Sequence, residues 1–263
     1  YEEESMSVLR LWATGALCPK SGPMRLAGAT VPSCSEITKA MMMKRTVEKT
    51  ADGSCTLFVP EMEEHYHSVN GALQESRHVF FQAGWEHLNR KSYRILEFGF
   101  GTGLNALLAL ARAVRDEVAV TYYSIEKFPL PEDLWQQLHY ENLEIEGAAH
   151  WFPLLHRSSW NEDVCLAPCF LLHKMEGDFN EVAFPEQIDL VFFDAFAPDK
   201  QPEVWHQALF DRIFRVMAPG GVLVTYCAKG AVRRMLQQAG FQVERIPGPP
   251  GKREMLRASV PQS

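Results

Sequence analysis

Length, composition and charge already exclude several classes of protein. The chain has 263 residues, 46% of them hydrophobic, with 16 Phe and 6 Trp, which favours a filled globular core and excludes a disordered protein. Its net charge of −7 argues against a general nucleic-acid binder, and no apolar run approaches the roughly 20 residues of a membrane helix. The six scattered cysteines indicate reduced thiols.

The N-terminal segment is predicted to stand apart from the folded protein. Residues 1–43 begin without Met, include Glu2, Glu3 and Glu4, and lack the basic start and continuous apolar centre of a secretory signal. We therefore expect residues 1–43 to be a leader or an extension foreign to the mature protein, and to be poorly ordered.

The remainder is predicted to form two parts. Residues 44–92 form a small module, with two short strands after Cys55 and a helix from near Gln74. Residues 93–263 alternate strands and helices, which is typical of a parallel sheet. The expected strands are Arg94–Phe98, Val118–Glu126, Phe170–Glu176, Ile188–Asp194, Val222–Tyr226, Phe241–Ile246 and Arg253–Ala258. Helices are expected from Leu104 through Arg115, from Leu134 to about Trp160, and over Val204–Met217 and Ala231–Ala239.

The first strand of this alternation leads into a glycine-rich turn. Gly99, Gly101 and Gly103 alternate directly before an amphipathic helix. Because glycine has no Cβ, such a turn brings backbone N–H groups close to a ligand. The dinucleotide fingerprint would need a third glycine at position 104, where Leu104 stands, and this disfavours a nicotinamide oxidoreductase.

Acidic residues stand at the ends of four successive strands, at Glu97, Glu126, Asp178 and Asp194. Ligands of such sheets lie beyond the carboxyl ends of the strands, so these acids are predicted to line one pocket. Glu126 follows Gly103 by 23 residues, close to the spacing of an acid that holds a ribose diol. The alternative is a strand-end acid that makes a turn.

The other two acids also have alternative interpretations. Asp178 is placed either to accept from an adenine amine or to form an Asx turn. Asp194 is placed to orient an amine nucleophile and to draw off its proton. Nearby rings could face a sulfonium or could belong to the core. These rings are Phe100, Phe193 and Phe196.

Two further patterns leave alternatives open. Cys165 and Cys169, near His156 and His173, could bind a metal, but their spacing matches no common zinc pattern, so we expect ordinary thiols and no metal. From Lys200 onward ten Lys and Arg stand against four Asp and Glu, a net +6, so residues 1–199 carry −13. This basic third either meets phosphate groups or forms solvated helix faces.

Five motifs occur in order along residues 55–258 and are more specific than the glycine turn alone. They are His65-Tyr-His-Ser-Val-Asn-Gly-Ala-Leu-Gln-Glu-Ser-Arg-His-Val-Phe80, Glu97-Phe-Gly-Phe-Gly-Thr-Gly-Leu-Asn105, Ser124-Ile-Glu-Lys-Phe-Pro-Leu130, Phe193-Asp-Ala-Phe-Ala-Pro-Asp-Lys-Gln-Pro-Glu-Val-Trp205 and Lys252-Arg-Glu-Met-Leu256. In this combination the chain resembles the tRNA 5-methylaminomethyl-2-thiouridine methyltransferase family, which comprises the MnmC amino-terminal domain and its stand-alone MnmD relatives.

The resemblance implies a Rossmann-like class I methyltransferase that uses S-adenosyl-L-methionine (SAM). Its fold is α/β, with a mostly parallel seven-stranded sheet, helices on both faces and a small N-terminal β/α extension. The implied reaction transfers a methyl group from SAM to the amine of 5-aminomethyl-(2-thio)uridine at the wobble position, giving 5-methylaminomethyl-(2-thio)uridine. The implied partner is the tRNA anticodon loop, in the cytoplasm, with no membrane and no metal.

The residues and the resemblance together predict a set of site residues, with Asp194 as the catalytic group. Predicted cofactor contacts are Glu97, Gly99, Phe100, Gly101, Thr102, Gly103, Asn105, Glu126, Lys127, Asp178 and Asp194. Predicted substrate contacts are Glu75, Ser76, Phe196, Lys200, Lys252 and Arg253.

Two departures from the family pattern modify these expectations. The chain ends at Ser263, so we expect no FAD-dependent domain and a substrate that already has its aminomethyl group. The Pro247-Gly-Pro-Pro-Gly251 loop replaces a more basic, glycine-rich stretch, which affects the expected tRNA contact there. Two other functions remain as alternatives: a Rossmann-fold transferase acting on a small amine, and a non-catalytic SAM-binding module.

Overall fold

The chain divides into two units, residues 1–44 and 45–263, of which the computed structural model describes residues 25–26, 29–30 and 44–262. In the first unit, β1 (Arg25–Leu26) pairs antiparallel with β2 (Ala29–Thr30). Apart from these four residues, the predicted leader of residues 1–43 lies outside the described residues.

The second unit begins with a small antiparallel sheet. Its strands are β3 (Thr46–Lys49), β4 (Cys55–Val59) and β5 (Glu64–His65), in that order. The two strands expected after Cys55 are confirmed, and β3 adds a third.

The following helical segment starts at Ala72, two residues before the predicted start. It comprises α1 (Ala72–Ser76), a π-helix (Arg77–Trp85) and α2 (Glu86–Leu88). Side chains of the turn between β3 and β4 set this start, because they accept from the first N–H groups of the helix, which have no partner within it. The pairs are Ala72 N to Thr50 Oγ1 at 3.3 Å, Leu73 N to Ser54 Oγ at 3.3 Å and Gln74 N to Asp52 Oδ2 at 2.9 Å.

An eight-stranded sheet forms the centre of the second unit. Its strands are β6 (Ser92–Phe98), β7 (Ala119–Glu126), β8 (Asp163–Ala167), β9 (Phe170–Glu176), β10 (Ile188–Phe193), β11 (Met217–Thr225), β12 (Gln242–Pro247) and β13 (Glu254–Ser259). Their order is β12-β13-β11-β10-β6-β7-β9-β8, and the five strands from β11 to β9 run parallel. The predicted mainly parallel sheet is confirmed.

The sequence prediction missed one strand, β8. It pairs antiparallel with β9 at the edge of the sheet, through a short turn that contains Pro168. The cause lies in its sequence, because only its last residue, Ala167, is buried and the strand has no long apolar run.

Helices cover both faces of the sheet, as predicted. They are α3 (Leu104–Asp116), α4 (Glu132–Trp135), α5 (Ala148–Arg157), α6 (Gln207–Val216) and α7 (Gly230–Ala239). The π-helix, α3 and α5 belong to one hydrophobic cluster, whereas α6 and α7 belong to a second.

Two further helix boundaries differ from the prediction. The single helix expected from Leu134 to about Trp160 is broken between α4 and α5, where His139 and Gly147 adopt left-handed φ values of 53° and 73°. The helix expected from Val204 begins only at Gln207, because Pro202–Val204 form a separate 3₁₀ turn. Within residues 44–262, no helix combines the length and apolar character needed to cross a membrane.

Candidate active site

The glycine-rich turn connects β6 to α3 at the carboxyl edge of the sheet. Its backbone is fixed by the neighbouring strand β7: the N–H groups of Gly99 and Phe100 donate to Ile125 O at 2.9 and 3.2 Å. The three glycines adopt φ values of 94°, 50° and 75°, a region that other residues rarely occupy. Helix α3 begins immediately afterwards, with Gly103 as its N-cap.

Close neighbours also explain why these three positions are glycine. A Cβ at Gly99 would lie 2.9 Å from Asp194 O, and one at Gly103 would lie 3.0 Å from His156 Nε2. A Cβ at Gly101 would lie 3.2 Å from the ring of Tyr66. At these three positions the turn therefore has no space for a side chain, and its backbone is the surface that it can offer to a ligand.

Glu126 ends β7 beside this turn. Its Oε2 accepts from Gly101 N at 3.0 Å, and its Oε1 accepts from Phe128 N at 2.8 Å. The turn-making interpretation is therefore confirmed, and the carboxylate also lies against the glycine loop, while its contact with a ribose diol stays a prediction. Each oxygen keeps a further lone pair for a hydroxyl donor.

Asp178 follows β9 and lies beside Lys127. Its Oδ1 accepts from Asn180 N at 2.8 Å, which forms the Asx turn considered as an alternative. Its Oδ2 accepts from Lys127 Nζ at 3.0 Å. The predicted cofactor residues Lys127 and Asp178 thus form an ion pair with each other.

Asp194 lies directly after β10, against the start of the glycine turn. Its N–H donates to Phe98 O at 3.1 Å, and its Oδ2 accepts from Asn105 Nδ2 at 2.9 Å. Burial, and secondly the nearby charge of Glu75, raise the pKa of Asp194 to about 7, although Asn105 and Lys252 act in the opposite direction. This carboxyl group can therefore exchange a proton near neutral pH.

The structure brings the predicted substrate residues Glu75 and Lys252 close to each other. Glu75 is buried, with Oε1 accepting from Lys252 Nζ at 2.7 Å and Oε2 accepting from Ser68 N at 2.6 Å. Lys252 Nζ also lies 3.9 Å from the centre of the Tyr226 ring. The Tyr226 hydroxyl donates to Ala195 O at 2.8 Å, which ties this group to the segment after Asp194.

Other predicted residues occupy different environments. Ser76 and Glu97 are fully buried, and Glu97 Oε2 accepts from Ser124 Oγ at 2.5 Å. Lys200 Nζ lies 3.9 Å from Glu63 Oε2, and Arg253 is exposed.

Of the three rings, two are core residues, as the alternative interpretation had it. Phe100 and Phe193 are 3% and 0% exposed. Phe196 is half-buried and packs edge-on against Tyr66, with ring centres 5.0 Å apart. Phe196 is therefore the ring that remains close to the turn and partly open.

Sequence reasoning missed several residues that support the site. Tyr66 lies within a recognised motif, and the position of Tyr226 at the end of the predicted strand Val222–Tyr226 was an available signal. Lys174 gave no signal, yet it is fully buried and donates to Leu155 O and His156 O, at 2.8 and 3.0 Å. Burial lowers the pKa of Lys174 to about 7. His156 Nε2 in turn contacts Thr102 O at 3.1 Å, behind the glycine turn.

The described residues show no metal centre. Within residues 44–262, no three His, Cys, Asp or Glu residues form a group that could hold a metal ion. Cys165 and Cys169 are free thiols.

The site fits SAM as cofactor. The glycine turn leaves no space for a Cβ at its three glycines, and Glu126 presents a carboxylate beside the turn. Such a turn suits the close approach of a nucleoside and its amino-acid tail, and a carboxylate suits the two hydroxyls of a ribose.

Comparisons with known proteins agree with this geometry. A family model described as S-adenosyl-L-methionine-dependent methyltransferase matches residues 170–261. The bifunctional tRNA 5-methylaminomethyl-2-thiouridine biosynthesis protein MnmC of Ralstonia nicotianae is 33% identical over 78% of this chain, and that of Chromobacterium violaceum is 37% identical over 72%. The matches cover 33% and 31% of those proteins, so the chain spans about a third of the length of its curated relatives.

A solved structure agrees over the whole length. The crystal structure of MNMC2 from Aquifex aeolicus superposes with a TM-score of 0.65 and 25% identity, covering 100% of this chain and 86% of the other. The matched motifs, the fold and the strand-end residues all point to the same group of proteins. The chain therefore belongs to the SAM-dependent methyltransferase family formed by the methyltransferase domain of MnmC.

Proposed function

We propose that this protein methylates the amine of 5-aminomethyl-(2-thio)uridine at the wobble position of tRNA, giving 5-methylaminomethyl-(2-thio)uridine. The observation that supports it most directly is Asp194, a carboxyl group with a pKa of about 7 beside the glycine turn. The curated relatives are named for tRNA 5-methylaminomethyl-2-thiouridine biosynthesis. We infer that the anticodon loop is the part of the tRNA that enters the site and that the enzyme works in the cytoplasm.

The residues divide into two groups by role. The backbone of the Gly99–Gly103 turn, with Glu126 and Asp178, would hold SAM, which when bound supplies a methyl group on a positively charged sulfur. Asp194 would accept the proton of the substrate ammonium, because only an unprotonated amine has the lone pair needed for attack. The enzyme otherwise contributes position and the exclusion of water.

We also infer that residues 44–92 contribute to the substrate side of the site, while residues 93–263 form the methyltransferase domain. Two contacts support this division of roles. Tyr66 lies against Gly101 and Phe196, and Glu75 lies near Asp194 and bonds Lys252. Removing the Tyr66 ring would therefore open one side of the predicted amine site.

The experiment that tests the proposed function supplies SAM together with either tRNA containing 5-aminomethyl-2-thiouridine or a small polyamine. Nucleoside mass spectrometry then measures the methyl groups gained by each. The proposal predicts methylation of the tRNA and none of the polyamine. Methylation of the polyamine alone would favour the small-amine alternative, and SAM binding without any methyl transfer would favour a non-catalytic module.

The pH dependence of activity should report the ionisation of Asp194. Because the carboxylate is the active form, kcat/KM should rise with pH through about 7. Glu75→Gln removes a negative charge that raises this pKa, so the rising limb should move to lower pH. Glu86→Gln, the same change at the exposed end of the helical segment, should leave the limb in place. A limb that moves equally in both variants would contradict the assignment to Asp194.

The salt dependence of tRNA binding should report the basic residues near the site. Arg253 is exposed next to Lys252, so Arg253→Ala should weaken tRNA binding and reduce the salt slope by about one unit. Arg115→Ala provides the control, because Arg115 is an exposed arginine at the opposite end of α3 from the glycine turn. Filter binding at several salt concentrations measures both. Equal effects of the two variants would indicate general charge attraction rather than a binding face.

A further inference from the structure

Three buried polar atoms near Asp194 have no hydrogen-bond partner among residues 44–262. They are Glu97 Oε1, Asn105 Oδ1 and the hydroxyl of Tyr122. Glu97 and Tyr122 are completely buried, and Asn105 is 3% exposed. A buried polar atom without a partner is costly, so three such atoms in one neighbourhood call for a physical explanation.

The other hydrogen bonds of these side chains limit which atoms can donate and which can accept. Glu97 Oε2 accepts from Ser124 Oγ at 2.5 Å, and Asn105 Nδ2 donates to Asp194 Oδ2 at 2.9 Å. The side chains of Asn105 and Tyr122 both lie close enough to Glu97 to affect its pKa. The amide oxygen of Asn105 is an acceptor only, and so is each oxygen of an ionised carboxylate. Two acceptors cannot bond each other.

A single proton on Glu97 Oε1 would give each of the three atoms a hydrogen-bond partner. The carboxylic O–H can donate to Asn105 Oδ1, and the same oxygen can accept from the Tyr122 hydroxyl. The resulting hydrogen bonds each have one donor and one acceptor. Ser124 and Tyr122 donate to Glu97, Glu97 donates to Asn105, and Asn105 donates to Asp194.

The charges around Glu97 also favour its neutral form. The groups that face it are Ser124 and Tyr122 from β7, Asn105 from α3 and Asp194 after β10. None of these is a cation, and Asp194 is an acid. Burial is the main cause that raises the pKa of Glu97, to about 8, and the charge of Asp194 adds to it, although hydrogen bonding by the side chains of Ser124, Asn105 and Tyr122 acts in the opposite direction.

We propose that Glu97 is a protonated positioning residue, whose carboxylic O–H holds Asn105 so that the Asn105 amide N–H points at Asp194. This role differs from the cofactor contact predicted from the sequence, because Glu97 is fully enclosed beneath the turn. The inference rests on the proposed function insofar as Asp194 is the proton acceptor in methyl transfer. The inference itself concerns protonation: the Glu97 carboxyl group is neutral in the working enzyme.

The test compares Glu97→Gln with Glu97→Leu. Glutamine can donate to Asn105 Oδ1 through its amide N–H while its oxygen accepts from Ser124, so it reproduces the O–H donor of the proposed neutral acid, whereas its nitrogen cannot accept from the Tyr122 hydroxyl. We expect Glu97→Gln to keep kcat within about threefold and Glu97→Leu to lower kcat at least about tenfold, with little change in SAM affinity. Wild-type activity should fall as pH rises above about 8, and Glu97→Gln should lack this descending limb.

Infrared spectroscopy tests the protonation without using activity. The difference spectrum of wild type minus Glu97→Gln should show the C=O band of a protonated carboxyl group at neutral pH, in the enzyme with or without SAM. A carboxylate band there, or Glu97→Gln losing as much activity as Glu97→Leu, would overturn the proposal. Absence of tRNA methylation by the wild type would refute the proposed function instead, and the infrared result would still decide the state of Glu97.

Discussion

Replacing Asp194 with Asn is expected to lower kcat for methyl transfer by about 10²–10⁴-fold while SAM affinity stays nearly unchanged. Asparagine keeps the size of the side chain but cannot accept the proton of the substrate ammonium. The raised pKa of Asp194 also means that burial of its charge costs stability as pH rises from about 4 to about 7. Above pH 7 the variant should therefore be at least as stable as the wild type, which separates lost chemistry from lost folding.

Asp199→Asn is the matched control for this variant. Asp199 lies five residues further along the same loop, is exposed and forms an ion pair with Lys229. Its replacement by Asn removes the same charge as Asp194→Asn. Single-turnover kinetics and calorimetric SAM titration measure both variants. Loss of SAM binding in Asp194→Asn, or equal loss of turnover in Asp199→Asn, would contradict the role given to Asp194.

The second large effect is expected at Gly99. Gly99→Ala adds a Cβ 2.9 Å from the backbone oxygen of Asp194, at a φ of 94° that alanine rarely adopts. The left-handed conformation alone costs about 1–2 kcal/mol, and the contact forces the turn or the segment after β10 to move. We expect SAM to bind at least about tenfold more weakly, and chemical denaturation to show a destabilised fold.

Gly53→Ala separates the two causes of this effect. Gly53 has a similar φ of 87°, but a Cβ there would meet no atom of the described residues within 4 Å. It should therefore lose about 1–2 kcal/mol of stability from conformation alone and bind SAM normally. If Gly99→Ala behaved like Gly53→Ala in both measurements, close contact at the turn would have no role in binding the cofactor.

Much of the sheet could be predicted from the sequence because buried parallel strands have continuous apolar runs and end in recognisable residues. Ile188–Phe193 and the acid that follows it are such a case, and the order of elements then places the strand-end residues at one edge. β8 could not be predicted, because an edge strand with one buried residue lacks such a run. The break between α4 and α5 depends on left-handed residues, one of which, His139, has no sequence signature.

The positions of the candidate site residues at strand ends could be predicted from the sequence, whereas the burial of their neighbours could not. Asp194, Glu126 and the three glycines follow from spacing, since each occupies a position set by a strand or a turn. Glu97 and Ser76 belong to the same motifs, yet the structure encloses them, because a motif does not say which side of the backbone is open. The role of Lys174 could not be predicted from the sequence, because its partners are backbone oxygens at the end of α5.

The position of the transferred methyl group distinguishes the proposed reaction from methylation elsewhere in the tRNA. tRNA bearing 5-aminomethyl-2-thiouridine is incubated with the protein and SAM labelled in its methyl group, and the digested nucleosides are fragmented in the mass spectrometer. We expect one labelled methyl on the aminomethyl nitrogen of the wobble uridine, none in tRNA that lacks the aminomethyl group, and almost none with Asp194→Asn. A label on the ring, on the ribose or on another nucleoside would contradict the proposed function.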